Sequence, residues 1–144
     1  MMKHEQLTAQ IIGCFYEVYN ELGYGFNEKV YERALIIALK EKGIKVKSQQ
    51  RYEVKYKGEL VGECFPDIIA GDDDVIVELK VAAEIIDPFK VQLISYMRAT
   101  GIRVGLILNF GPHPELRRFM LDEKGNLIRV KPFLKQPESV GTKS

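Results

Sequence analysis

In the first part of the chain, apolar residues recur at every third or fourth position, which predicts helices. The first set predicts a helix that ends before Gly23: Leu7, Ile11, Cys14, Phe15, Val18 and Leu22. Asn27 is a favourable N-cap for a second helix, which is predicted to run to Lys42 and to be closed by Gly43. Two amphipathic helices are therefore expected before the first strand.

The middle of the chain changes to the alternation and the short apolar runs that are typical of β-strands. Three strands are predicted, over Val46–Lys57, Leu60–Ala70 and Val75–Val81. The turns Lys57-Gly58-Glu59 and Gly71-Asp72-Asp73-Asp74 separate them. The third strand is apolar on both faces, which indicates a central position in a sheet.

The second half of the chain returns to a helix and then to strands. Pro88 opens a third helix that Gly101 ends, Val104–Phe110 is predicted as a buried strand, and Leu127–Val130 as a short one. The order α-α-β-β-β-α-β predicts an α/β fold with a mixed central sheet flanked by helices. Residues 1–135 are expected to form one domain, and residues 136–144 a disordered tail.

Composition limits the class of protein. The chain has 144 residues, of which 46% are hydrophobic and 28% charged, so disorder and fibrous structure are excluded. No apolar run approaches the roughly 20 residues that span a bilayer, and no apolar leader segment is seen. Two cysteines, Cys14 and Cys64, are too few for a disulfide framework or a four-ligand zinc site. A cytoplasmic protein without a membrane partner is expected.

Charge is nearly balanced overall, at +1, but it is unevenly distributed along the chain. Residues 40–57 carry seven basic and two acidic side chains, residues 59–78 carry seven acidic and no basic ones, and residues 117–135 are basic again. This segregation predicts an acidic site between basic shoulders, although charged faces are usually only solvated.

Two charged residues interrupt the apolar run of the strand that is predicted to be central. Glu78 and Lys80 share one face, because side chains alternate along a strand, and Leu79 points to the other face. A turn centred between Asp72 and Asp73 pairs residues whose numbers sum to 145. Asp67 is then expected directly across from Glu78, on the same face.

A pair of opposed carboxylates requires positive charge nearby, because the two groups repel and their burial is costly. Lys80 would supply part of this charge, and a divalent cation such as Mg²⁺, which prefers carboxylate and water oxygens, would supply the rest. The alternative is a buried Glu78–Lys80 ion pair, with Asp67 merely ending its strand. The three residues together, in this register, favour a metal site.

Glu28 is a third candidate acid. On a helical wheel it projects with Tyr31, Leu35 and Leu39, which places it on the face of the second helix that is expected to be buried. The alternative is that Glu28 only stabilises the helix dipole, because acids in a first helical turn do so wherever they point.

These residues carry a resemblance to a known family. Pro66-Asp67 followed by Glu78-Leu79-Lys80 resembles the PD-(D/E)XK motif of the metal-dependent nuclease superfamily. Gly25-Phe26-Asn27-Glu28-Lys29-Val30-Tyr31 resembles the signature of its GxxExxY branch. Further matches are Tyr56-Lys57-Gly58, Gln92 to Tyr96, Ala99-Thr100-Gly101 and Leu108-Asn109-Phe110-Gly111. The resemblance spans Leu7 to Arg118 and implies a restriction-endonuclease-like core.

The resemblance also implies roles for the candidate catalytic residues. Asp67 and Glu78 would bind the metal, with the carbonyl of Leu79 as a third ligand. Lys80 would orient the attacking water or stabilise the charge that grows on the phosphate. Glu28 would bind through water or hold a second metal.

Gln92 and Tyr96, one helical turn apart, resemble an element that touches nucleic acid in related nucleases. Core packing is the alternative for Tyr96. The chain departs from the branch at Phe89, where a histidine is frequent, and at Gly23-Tyr24-Gly25, where Gly-Pro-Gly is frequent. Neither difference removes a metal ligand, but the first leaves one substrate or proton-transfer role unfilled.

The expected function is therefore hydrolysis of phosphodiester bonds by a nuclease that uses Mg²⁺, with Mn²⁺ as a substitute. Two acids and a lysine are the minimum set for this chemistry, and neither a serine-nucleophile elbow nor a Walker glycine loop is present. Nucleic acid is the expected partner, DNA more than RNA, and a homodimer is left open. The alternative is a nucleic-acid-binding or assembly module that keeps the fold without cutting.

Overall fold

The structure, a computed structural model, describes residues 3–128. Within this range the chain forms three helices and eight strands. In chain order they are α1 (Lys3–Leu22), α2 (Glu28–Glu41), β1 (Val46–Ser48), β2 (Tyr52–Tyr56), β3 (Glu59–Cys64), β4 (Ile68–Ala70), β5 (Val75–Lys80), α3 (Asp87–Thr100), β6 (Val104–Phe110), β7 (Pro114–Leu121) and β8 (Leu127–Ile128). Among these helices none is both long and apolar enough to cross a membrane.

The three predicted helices are confirmed, and their ends have the expected local causes. At the start of α2, the side-chain oxygen of Asn27 accepts a hydrogen bond from the main-chain N–H of Val30 at 3.2 Å. At the end of α3, Gly101 adopts a left-handed conformation with φ of 77°. Local sequence therefore sets where these helices begin and end.

The main sheet has six strands in the order β1-β4-β5-β6-β7-β8. The β5–β6 pair is parallel and the other four pairs are antiparallel. Strands β2 and β3 form a separate two-stranded sheet. The predicted mixed sheet with flanking helices is confirmed, and β5 lies inside it.

The two predicted long strands are each divided in the structure. Val46–Lys57 breaks between Ser48 and Tyr52, where Gln49 adopts a left-handed φ of 54°. Leu60–Ala70 breaks over residues 65–67, where Pro66 lacks the N–H that a strand would use. The predicted count of strands was therefore too low.

The last strands of the sheet were only partly predicted. Strand β7 was missed, because Arg117 and Arg118 lie side by side and remove the alternation that marks a strand. The predicted Leu127–Val130 is observed as Leu127–Ile128, and its last two residues lie outside the described range. The proposed tail, residues 136–144, also lies outside that range, so the division after residue 135 stays a prediction.

The sheet separates two apolar layers. Helices α1 and α2 pack on one face, which includes Val77, Leu79 and Leu106. Helix α3 packs on the other face, through Leu93 and Met97 against Ile76 and other apolar side chains. Leu79 faces α1 and α2, so Glu78 and Lys80, its neighbours in β5, face α3. The fold thus places two charged side chains beneath a helix.

Candidate active site

The β4–β5 hairpin sets the geometry of the candidate site. Ile68 pairs with Val77 and Ala70 with Val75, which confirms the register predicted from the turn. One position further, the main-chain N–H of Asp67 donates to Glu78 Oε2 at 2.7 Å, and the N–H of Leu79 donates to Asp67 Oδ2 at 2.9 Å. Asp67 and Glu78 are therefore neighbours at the end of β5.

Burial makes the charge of this pair costly. Glu78 is 3% exposed and Asp67 is half-buried. Loss of hydration, followed by the charge of Asp67, raises the pKa of Glu78 to about 8. Loss of hydration also raises the pKa of Asp67, although the hydrogen bond from Leu79 opposes this shift. A nearby positive charge would therefore stabilise the ionised form of the pair.

Lys80 is held beside this pair by helix α3. Its Nζ donates to Gln92 Oε1 at 3.0 Å and lies 4.8 Å from the centre of the Phe89 ring. An ammonium group over an aromatic face is attracted by the negative charge of the ring face. Phe89 thus contacts Lys80, the lysine that the sequence predicts to be part of the site.

Gln92 and Tyr96 share one face of α3, as their spacing predicted, and this face lies towards β5. Gln92 contacts Lys80 directly. Tyr96 is half-buried and packs against the apolar layer under α3, which is the core-packing alternative. Burial and then the negative charge of Glu78 raise the pKa of Tyr96, so its hydroxyl is electrostatically coupled to the acidic pair.

Glu28 is placed differently from the expectation. It is exposed, not buried, because it is the first residue of α2 and lies where the helix begins. Partial desolvation and then the charge of Asp67 raise the pKa of Glu28, and Lys80 opposes this shift. Glu28 therefore interacts electrostatically with Asp67 and Lys80, although its side chain lies outside the apolar layer.

The loop before α2 is fixed by Tyr31. This residue is fully buried; its hydroxyl donates to the carbonyl oxygen of Gly23 at 2.5 Å and accepts from the N–H of Phe26 at 3.2 Å. Gly25, between these contacts, has φ of 129°, which only glycine adopts readily. The glycine and tyrosine of the Gly25 to Tyr31 motif thus hold the loop that leads into Glu28.

Glu32 is the buried acid of α2, and sequence analysis did not find it. It is 4% exposed, and its Oε2 accepts from Ser48 Oγ at 3.0 Å and from Gln49 Nε2 at 3.2 Å. Gln49 Nε2 also donates to Asp67 Oδ1 at 3.1 Å. The only signal for Glu32 was its place one turn after Glu28, which is equally typical of a solvated position.

Asn109 and Gly111 fix the chain just beyond Lys80. The side chain of Asn109, fully buried at the end of β6, accepts from the N–H of Ala82 at 2.9 Å and donates to its carbonyl at 3.0 Å. A Cβ on Gly111 would lie 2.1 Å from the Ala82 carbonyl oxygen. These contacts give a structural role to the Leu108-Asn109-Phe110-Gly111 match, for which the sequence alone indicated no role.

Within the basic segment of residues 40–57, several lysines form ion pairs. Lys45 pairs with Asp72 at 3.0 Å and Lys47 with Asp73 at 2.9 Å, both between exposed side chains. Lys55 lies 3.8 Å from Glu53. The first basic segment and the acidic segment are adjacent in the sheet through β1 and β4, so some of their charges pair with each other.

The donor set at the hairpin end suits a hard divalent cation. Asp67 and Glu78 offer carboxylate oxygens, the ligands that Mg²⁺ prefers, and the buried charge of Glu78 would be stabilised by a cation. Over residues 3–128, no three His, Cys, Asp or Glu side chains converge to hold one ion. Any ion here would therefore need main-chain or water oxygens besides the two carboxylates.

Comparisons with known proteins show the family and the fold of the chain. A family model described as PD-(D/E)XK nuclease superfamily matches residues 5–119. The crystal structure of SSO0001 aligns with a TM-score of 0.54 and 17% identity, over 67% of this chain and 52% of that one. The chain thus spans about half the length of SSO0001.

A second solved structure and the curated proteins add less. The alkaline exonuclease LHK-Exo from Laribacter hongkongensis aligns with a TM-score of 0.45 and 13% identity, over 76% of this chain and 77% of that one. Comparison with curated proteins gives no match.

Proposed function

Since the chain belongs to the PD-(D/E)XK nuclease superfamily, we propose that it is a metal-dependent nuclease that hydrolyses phosphodiester bonds of nucleic acid, DNA more than RNA. The observation that carries the proposal is the adjacency of Asp67 and Glu78, two carboxylates with raised pKa values, at the end of β5. Lys80 follows two residues after Glu78, on the same face of the sheet.

Asp67 and Glu78 are assigned to bind a divalent cation, Mg²⁺ or Mn²⁺, together with the carbonyl of Leu79. When bound, such a cation polarises a phosphate and lowers the pKa of a coordinated water. The hydrogen bonds from the main chains of Asp67 and Leu79 fix one oxygen of each carboxylate, which limits how the two ligands can rotate. The pair is therefore preorganised before any ion arrives.

Lys80 is assigned to the reacting phosphate. Hydrolysis joins the oxygen of water to phosphorus and breaks one ester bond, and negative charge grows on the phosphate oxygens during this step. An ammonium group stabilises this charge best when its position is fixed in advance. Gln92 and Phe89 provide this constraint, since they hold Lys80 Nζ through a hydrogen bond and a ring contact.

Glu28, Gln92 and Tyr96 are assigned supporting roles. Glu28 is exposed and electrostatically coupled to Asp67, which suits contact through water or a second metal ion. Gln92 and Tyr96 lie beside the acidic pair on α3, where they would contact nucleic acid. Membership of the GxxExxY branch belongs to the same proposal and is supported by the contacts of Gly25 and Tyr31 in the loop before Glu28.

The test uses a panel of labelled DNA and RNA: single strands, duplexes and junctions. Wild type is incubated with Mg²⁺, Mn²⁺ or EDTA, beside Glu78→Ala. Cleavage that requires the metal and is lost in Glu78→Ala supports the proposal. Cleavage that persists in Glu78→Ala, or in EDTA, contradicts it.

A module that binds nucleic acid or serves assembly without cutting is the second candidate. It is favoured by the net charge of +1 and by the ion pairs of Lys45 and Lys47, because strong phosphate binding relies on free basic surface. A wild-type chain that binds members of the panel but cuts none of them with either metal would support this candidate instead.

A further inference from the structure

Gln49 lies between two carboxylates at the edge of the candidate site. Its Nε2 donates to Glu32 Oε2 at 3.2 Å and to Asp67 Oδ1 at 3.1 Å. Ionised carboxylates only accept hydrogen bonds, so only the NH₂ group of the amide can face both of them. The chemistry of its partners therefore fixes the orientation of the Gln49 side chain.

Glu32 is a firm anchor for this amide. It is 4% exposed on α2, and the same oxygen that accepts from Gln49 also accepts from Ser48 Oγ at 3.0 Å. Its other oxygen lies 3.6 Å from Lys29 Nζ. A buried carboxylate held by three groups moves little, so it can restrain the amide that contacts it.

The main chain of Gln49 is also tied to Asp67. Its N–H donates to the carbonyl oxygen of Asp67 at 3.1 Å, while its φ of 54° is a left-handed conformation that glutamine adopts at a cost. Such a conformation persists only where surrounding contacts compensate for it. Both the main chain and the side chain of Gln49 therefore donate hydrogen bonds to Asp67, a residue of the candidate site.

We propose that Gln49 is a positioning residue: anchored by Glu32, its amide fixes the Asp67 carboxylate for a divalent cation. The inference rests on the proposed function. Leu79 holds Asp67 Oδ2 and Gln49 holds Asp67 Oδ1, so the carboxylate cannot rotate without losing a hydrogen bond. Hydrogen bonds behind a metal ligand raise affinity because they orient the ligand before the ion binds.

The first experiment measures Mn²⁺ binding to the full chain by calorimetry, without nucleic acid. Gln49→Gly removes the amide and suits the left-handed main chain, so its melting temperature should stay close to that of wild type. Its Mn²⁺ dissociation constant should rise about 10-fold to 100-fold. Gln50→Ala, at the exposed neighbouring glutamine, is the matched control and should bind as wild type does.

A second variant, Gln49→Asn, tests the proposal even if Gln49→Gly does not fold. Gln49→Asn tolerates the left-handed conformation and keeps an amide, but it is one methylene shorter and cannot reach both carboxylates. It should lose Mn²⁺ affinity in the same direction. In cleavage assays, raising Mn²⁺ should restore the rate of both variants, which a general loss of folded protein would not allow.

The outcomes separate this inference from the function on which it rests. If Asp67→Ala loses Mn²⁺ binding while both Gln49 variants bind as wild type does, the positioning role is overturned and the metal site stands. If wild type binds no Mn²⁺, both proposals fail. If the Gln49 variants lose affinity and Gln50→Ala does not, the positioning role is supported.

Discussion

The main-chain N–H of Asp67 donates to the carboxylate of Glu78, and in return the carboxylate of Asp67 accepts from the main chain one residue further along β5. This exchange occurs where β4 has ended and its pairing with β5 has stopped. The Asp67 side chain accepts a main-chain hydrogen bond from β5 that a residue of β4 would accept if that strand continued. Two acids therefore meet because one strand of the hairpin ends earlier than the other.

Glu78 should make the stability of the metal-free chain depend on pH. Its pKa is raised from 4.5 to about 8, so the folded state binds this proton more tightly than the unfolded state does. The stabilisation is complete below pH 4.5 and is lost as the pH rises through about 8. Urea unfolding in EDTA across this window should show the loss.

Glu78→Gln is the control for this pH dependence, since the amide cannot ionise. Its free energy of unfolding should decline less between the two pH limits than that of wild type. An equal decline in both proteins would show that other groups are responsible.

Mg²⁺ or Mn²⁺ should raise the melting temperature of wild type, because a ligand that binds only the folded state stabilises it by mass action, by about 2.7 kcal/mol at 100 times its dissociation constant. Asp67→Ala should abolish this increase when followed by thermal melting. Asp72→Ala, in the exposed turn of the same hairpin, should retain it. If the metal-induced increase in melting temperature is instead retained in Asp67→Ala and lost in Asp72→Ala, the ion binds at the turn.

The affinity for Mn²⁺ should increase with pH. Metal binding requires ionised carboxylates, and Glu78 loses its proton at about pH 8 in the absence of metal. Calorimetric titrations at increasing pH should show a decreasing dissociation constant that levels off above this value. An affinity that does not change with pH would mean that Glu78 is not a ligand.

Lys80→Ala should lower cleavage about 10²-fold to 10³-fold, because removal of one group that stabilises transition-state charge has effects of this size. Affinity for nucleic acid should stay nearly unchanged, since one contact among many is lost. Single-turnover rates and binding isotherms measure the two effects separately. Lys55→Ala, on the exposed hairpin, should leave the cleavage rate intact. Cleavage by Lys80→Ala at the wild-type rate would show that Lys80 does not stabilise the transition state.

Gly111→Ala should destabilise the fold by about 1–3 kcal/mol, because its Cβ would meet a main-chain oxygen at 2.1 Å and force a shift. The oxygen belongs to Ala82, two residues after Lys80, so the shift should also disturb the site. Gly13→Ala is the control: Gly13 is exposed within α1 and a Cβ there meets nothing within 4 Å. This change should stabilise by about 0.5–1 kcal/mol, measured by denaturant unfolding.

The register of the Asp67–Glu78 pair could be derived from the sequence alone. Hairpin pairing depends on where the turn lies, and the turn after Ala70 is marked by Gly71 and three aspartates. Helix ends at Asn27 and Gly101 followed from equally local signals. These features depend on a few neighbouring residues, so periodicity and turn chemistry are enough to predict them.

Long-range packing decided the rest. A helical wheel could not tell that α2 exposes Glu28 and buries Glu32, because burial depends on which residues of β1 and its following loop lie opposite. Nor could spacing show that Lys45 and Lys47 meet the aspartates of the hairpin turn. The local sequence determined the three helices and the register of the β4–β5 hairpin, whereas contacts between distant elements determined which charged side chains are buried or paired.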